Sequence, residues 1–284
     1  MLNYNPIISM QEIHFKRKLN LWELATFAKK RKFNFEILIQ QAYQKGFLKA
    51  ENEFLLGKFI SHFKNMQNSQ SQLFQDIFAS FIIGNKFEKT FLEFGATNGY
   101  DLSNSYLLEN DLNWKGVLSE PSPQWHVSLK KNRINSTIVT KCIWTKSNEE
   151  LDFFVSDIGA YSTIDGYINN DYKSMPDNTI ARKKGGKFIK VKTISLNDLI
   201  RDYFQNKSPS YISIDTEGSE FEILKAFNFE KFRPIVFTIE HNFTDYEKKI
   251  NDLMISNDYV RIFRDITAFD AWFITKEVYE QINQ

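Results

Sequence analysis

Phe91-Leu92-Glu93-Phe94-Gly95-Ala96-Thr97-Asn98-Gly99 reads as a short apolar strand that stops at an acid and runs into a glycine turn. The residues after it, Asp101 to Asn113, predict a helix with Leu102, Tyr106 and Leu107 along one side. A strand, a tight Gly turn and a helix make the ligand-binding end of a Rossmann-like unit. Gly95 lets the backbone turn sharply and approach a ligand closely, because it has no Cβ. The motif lacks the third glycine of G-x-G-x-x-G, and nothing in it is built to cradle a pyrophosphate. A Gly turn preceded by Glu suits a ligand with a cationic amino-acid part and no phosphates. S-adenosylmethionine is such a ligand.

Outward from this stretch, strands and helices alternate, which predicts a parallel α/β sheet. The second strand, Gly116 to Glu120, ends in Glu120-Pro121-Ser122-Pro123. An acid at that position holds a ribose diol in such folds, since its two oxygens can accept both hydroxyls. Further strands are expected at Thr137–Trp144, Tyr211–Asp215 and Pro234–Ile239, with a closing antiparallel hairpin from Tyr259–Phe263 and Ala271–Ile274. Residues 145 to 190 form a long insert. It carries hydroxyls at Tyr161, Ser162 and Thr163 and a basic stretch, Arg182 to Lys187, expected to be a flexible loop. That stretch is either a solvated charge run or a clamp for an anionic substrate, such as the diphosphate of a nucleotide sugar.

Upstream, residues 1 to 68 predict three short amphipathic helices. They read as a packing or dimerisation appendage, or as a lid or wall over a substrate pocket. The run Lys29-Lys30-Arg31-Lys32 lies between the first two helices. A further helix over Leu73 to Phe81 carries Gln75 and Asp76.

The 284 residues allow one or two domains, and the formal charge of +1 gives no global case for binding nucleic acid or a membrane surface. Cys142 is the single cysteine, which excludes an intramolecular disulfide framework and a cysteine-based metal site. Met1 to Met10 lacks the pattern of a signal peptide, and no apolar run approaches the roughly 20 residues of a membrane span. The expectation is a reduced, cytoplasmic, soluble protein.

Four strand ends carry acids: Glu93, Glu120, Asp215 and Glu240. Ligands of open α/β sheets bind at those ends, so the four acids with His241 mark a site. Two mechanisms stay open. His241 could act as a general base oriented by a carboxylate. Alternatively, Asp215 and Glu240, with His241, could hold Mg²⁺ or Mn²⁺, for which oxygen and imidazole ligands are suited.

These residues together resemble the FkbM-type S-adenosylmethionine-dependent methyltransferases over about residues 71 to 275. The resemblance rests on Gln75-Asp76, Phe91 to Gly99, Trp114 to Pro121, Asn132-Arg133, Val191 to Leu199, Ser213 to Glu220 and Glu240-His241-Asn242. The family more often has Asp or Asn where Thr97 stands. It implies a class I methyltransferase fold, a mostly parallel seven-stranded sheet with helices on both faces, over 69–284. The helical segment 1–68 lies outside the resemblance. Implied cofactor contacts are Glu93, Gly95, Ala96, Asn98, Gly99, Glu120, Pro121 and Asp215, with Glu93 and Gly95 at the methionine part and Glu120 at the ribose. Expected substrate contacts are Gln75, Asp76, Ser162, Arg182, Lys183, Glu217 and Asn242, and expected catalytic residues His241, Asp215 and Glu240. Family members O-methylate hydroxyls of sugars and natural products. The expected function is therefore sugar O-methylation, on a nucleotide-activated sugar such as a GDP-sugar, for bacterial capsule or other surface polysaccharide. Alternatives are another small-molecule acceptor, or a non-catalytic partner subunit of the same fold. A homodimer through the N-terminal helices is a further expectation.

Overall fold

A computed structural model describes residues 18–31, 33–64, 66–168 and 176–283. Among them seven strands form one sheet: β1 (Thr90–Phe94), β2 (Lys115–Ser119), β3 (Thr137–Val139), β8 (Tyr211–Ile214), β9 (Val236–Glu240), β10 (Tyr259–Ile262) and β11 (Asp270–Thr275). Their order is β10-β11-β9-β8-β1-β2-β3. The five strands from β9 to β3 run parallel, and β11 and β10 add on antiparallel, so the sheet is mixed.

The pleat, with its period of two, separates two cores. Phe91, Leu118, Tyr211, Val236 and Trp272 face one side. Leu92, Val117, Ile212, Phe237 and Phe273 face the other. On the second side lie α8 (Leu196–Tyr203), α9 (Glu220–Lys225) and α10 (Tyr246–Ser256), through Leu199, Leu224 and Met254. On the first side lie α1 (Leu21–Arg31), α2 (Phe35–Gln44), α3 (Glu53–His62) and α4 (Gln75–Ile83). Phe59 of α3 stacks on Phe263 at 5.5 Å and meets Trp272 edge-on at 6.0 Å. The N-terminal helices therefore share the core of the sheet's first face.

Register then positions the acids. Glu93, Glu120, Asp215 and Glu240 have the same parity as Phe91, Leu118, Tyr211 and Val236, so the pleat directs all four towards the face that the N-terminal helices cover.

Three local expectations change. The helix after the glycine turn is short, α5 (Tyr106–Asn110), because Asn98 accepts the N–H groups of Tyr100 and Asp101 and Leu102 takes φ +62°. The expected strand Thr137–Trp144 is two, β3 and β4 (Cys142–Trp144), and β4 leaves for another sheet. That sheet, β4-β7-β5-β6, is built by the insert: β5 (Glu150–Ser156), β6 (Thr163–Ile164) and β7 (Gly186–Ser195), around Phe153, Val155, Ile164 and Val191. The basic stretch is not a loop, since Arg182 to Lys184 end α7 (Pro176–Lys184) and Gly186 and Lys187 begin β7. Among the described residues no helix is long and apolar enough to cross a membrane.

Candidate active site

A cavity of about 470 Å³ opens at the carboxyl ends of the parallel strands. Its walls include Glu93, Gly95, Ala96, Thr97 and Asn98 after β1, Glu120 and Pro121 after β2, Asp215 and Glu217 after β8, and Glu240 and Asn242 after β9. The N-terminal segment contributes Asn20 and Trp22, and the insert Phe153, Ser162 and Ile164.

The glycine turn is held by backbone. Gly95 has φ +68°, and its N–H donates to the Ser119 carbonyl at 3.1 Å. A Cβ there would lie 2.0 Å from the Asp215 carbonyl oxygen, so only glycine lets these two strand ends approach. Gly99 (φ +74°) packs against Leu129 of α6 (His126–Asn132) and against Arg133, outside the cavity walls. Thr97 sits at φ +45°, a region that Asn and Asp tolerate better than a β-branched residue.

Glu120 accepts the Thr97 N–H at 2.9 Å on one oxygen and the Ser122 N–H at 2.7 Å on the other. Each oxygen has a second lone pair available for a hydroxyl donor. The side chain is buried, and desolvation pushes its pKa up to about 7.

An acid cluster lines the same cavity. Asp215, Glu217 and Glu240 each bring a carboxylate oxygen within 4.8 Å of the others. Burial, and then the charge of Glu220, raise Asp215 to about 7. Burial, and then the charge of Asp215, push Glu240 well above the carboxylate range, and its Oε2 has no hydrogen-bond partner. Asp270 lies behind the cluster, where it accepts from Gln75 Nε2 at 2.9 Å, and burial raises it to about 7.

Other expected site residues have structural work. Glu93 borders the cavity, yet its oxygens accept from the Asn104 N–H (2.8 Å), from Ser103 (3.0 Å) and from Ser105, with Arg133 at 3.7 Å. It ties the turn at 103–105 under the sheet end. Asn98 closes its own turn, and Asn132 donates to its carbonyl. Gln75 and Asp76 are buried outside the cavity walls, with Asp76 accepting from Ser69, Ser71 and the Ile77 N–H.

His241 is not a wall residue. Its Nδ1 accepts the Phe243 N–H at 3.1 Å, and its Nε2 faces Arg261 at 3.4 Å. Burial lowers it to about 4, which leaves a neutral and weakly basic ring. His241 therefore stands off the cavity that Asp215 and Glu240 line. The expected anion clamp changes too: Arg182 is buried and donates to Glu217 at 2.7 Å and to the Tyr161 carbonyl at 2.9 Å, while Lys183 is exposed on α7. Neither lines the cavity.

Sequence reasoning missed Asn20, Trp22 and Trp125 as walls. Asn20 and Glu23 form a reciprocal capping box, with bonds of 2.9 and 3.1 Å, that fixes the start of α1 above the strand ends. Asn-x-x-Glu before an apolar run was a readable signal for that helix start. Trp125 packs against Gly159, where a Cβ would meet its ring at 2.2 Å. That contact joins elements distant in sequence and leaves no local pattern.

The methyltransferase FkbM domain profile matches residues 93–275 of the chain. No relative is found among curated proteins. Among solved structures the chain is similar to a precorrin-6y C5,15-methyltransferase from Geobacter metallireducens, at 12% identity over 70% of this chain and 85% of that one, with a TM-score of 0.37. It is also similar to a ribosomal protein L11 methylase from Lactobacillus delbrueckii subsp. bulgaricus, at 8% identity over 70% and 76%, with a TM-score of 0.35.

Proposed function

Because the chain belongs to the methyltransferase FkbM domain family, we propose that it transfers the methyl group of S-adenosylmethionine to a hydroxyl of a sugar, and that the sugar is nucleotide-activated. The observation that carries this reading is the shared cavity. The Gly95 turn and Glu120 line it together with Asp215, Glu217 and Glu240. A cofactor cradle and a set of proton acceptors thus open on one space.

The residues fit the cofactor. Gly95 leaves no room for a side chain, so the turn presents bare backbone. Glu120 keeps lone pairs for two hydroxyls, and among the described residues the acid-rich walls hold no Lys or Arg, which suits a cationic ligand. S-adenosylmethionine supplies an electrophilic methyl group on a sulfonium. Much of the acceleration then comes from holding the acceptor in line.

The acceptor hydroxyl holds its proton about as tightly as water, near a pKa of 15.7. Asp215, raised to about 7, is a far better proton acceptor at neutral pH than an ordinary carboxylate. General-base catalysis of this kind is worth roughly 10²–10⁴-fold. Its neighbour Glu240 shares the negative charge across the pair.

A second reading has its own observation. Glu240, whose Oε2 has no hydrogen-bond partner, brings a carboxylate oxygen within 4.8 Å of those of Asp215 and Glu217, an all-oxygen set suited to Mg²⁺ or Mn²⁺. Such a cation would acidify the hydroxyl instead. Dialysis against a chelator separates the two: activity that survives supports the base, and activity lost and restored by Mn²⁺ supports the cation.

Calorimetry with S-adenosylhomocysteine tests the cofactor. Glu120→Gln removes the charge from the ribose contact and should weaken binding about 10-fold or more. Wild-type protein that takes up no S-adenosylhomocysteine at high micromolar concentrations would sink the proposal.

A further inference from the structure

A second cavity, of about 540 Å³, lies beside the first, between α1 and the segment from Gln67 to Gln72. Trp22, Gln72 and Leu102 belong to the walls of both cavities, so the two spaces meet at these residues. Trp22 is 44% exposed and Leu102 43% exposed, large apolar surfaces standing at the junction. Leu102 is held there at φ +62°, a strained conformation for a bulky residue.

The two spaces differ in charge. The first is lined by Glu93, Asp101, Glu120, Asp215, Glu217 and Glu240, with no Lys or Arg among the described residues. Among the described wall residues of the second, Lys29 is the single charged group, and the rest are aromatic, amide, hydroxyl and aliphatic. A diphosphate placed among the acids of the first cavity would meet repulsion and desolvation together. Arg182 cannot relieve it there, because its guanidinium is buried against Glu217 outside those walls. Among the described residues, the second cavity offers an acceptor's anionic end an adjoining space of suitable charge. A volume of about 540 Å³ also lies within the range of small-molecule sites.

We propose that the second cavity is the nucleoside-diphosphate subsite of the acceptor. The base lies against Trp22, a phosphate meets Lys29, and the sugar passes between Trp22, Gln72 and Leu102 into the acid-lined cavity. This rests on the nucleotide-sugar reading above. It gives the N-terminal helices a part in recognising the acceptor.

The test is calorimetry on the full chain saturated with S-adenosylhomocysteine, titrated with GDP and with UDP. At least one should bind. Lys29→Glu should weaken it about tenfold or more, and Lys30→Glu, one position along and off the cavity wall, should leave it within about twofold. Trp22→Ala should weaken it as well, through lost stacking. If neither diphosphate binds, or if Lys29→Glu binds like the wild type, the subsite is overturned while the cofactor reading stands. Failure of S-adenosylhomocysteine itself to bind would overturn the cofactor reading instead.

Discussion

Gly95→Ala concentrates the geometry of the site in one methyl group. Two costs follow. An alanine at φ +68° occupies the left-handed region, at roughly 1–2 kcal/mol. Its Cβ would also fall 2.0 Å from the Asp215 carbonyl oxygen, and real Cβ contacts stay beyond about 3.0 Å, so the two strand ends must part by about 1 Å. The moving atom is backbone, so no side chain can swing aside. A misplacement of that size at a reacting centre can cost about 10²-fold in rate. Gly46→Ala is the control. Its φ of +73° carries the same strain, but its nearest neighbour is the flexible end of Lys49 at 3.3 Å. Thermal denaturation should show Gly95→Ala losing at least 1–2 kcal/mol more than Gly46→Ala. Calorimetry should show weakened S-adenosylhomocysteine binding in Gly95→Ala alone. If the two variants lose equal stability and Gly95→Ala binds the ligand normally, the close approach of the two strand ends does not shape the site.

Two further outcomes follow from the titratable groups. His241→Asn keeps an acceptor for the Phe243 N–H and should leave kcat within about threefold; a loss of 10²–10⁴-fold would return the base to His241. Asp270 has a folded pKa of about 7 against an ordinary value of 3.8, so its stabilising contribution is complete below pH 4 and is lost as pH rises through 7. The loss amounts to up to about 4 kcal/mol. The melting temperature of the wild type should fall between pH 5 and pH 8, and in Asp270→Asn, whose amide oxygen can still accept from Gln75 and Trp272, it should fall less steeply. Equal slopes would remove Asp270 from the titrating set.

The sheet was legible because its signals are local. Phe91 to Gly99 carries strand alternation, an acid and a turn glycine within nine residues, and β2, β8 and β9 repeat the ending in an acid. The side-chain roles were less legible because they depend on partners distant in sequence. Arg182 reads as a free cation in a basic run, yet it is spent on Glu217, 35 residues away. His241 follows an acid at a strand end, yet one residue of pleat turns it away from the cavity that Glu240 enters. Trp22 reads as part of an amphipathic helix, and its place between two cavities needs α1 docked by the Leu21 N–H on the Ile266 carbonyl at 2.9 Å.

The most direct test of the account is a crystal structure of the chain with S-adenosylhomocysteine. The ligand should lie in the cavity lined by the Gly95 turn and the acid cluster, with its ribose hydroxyls on Glu120 and its sulfur facing Asp215 and Glu240. A ligand bound elsewhere, or bound in that cavity with Glu120 left untouched, would contradict it.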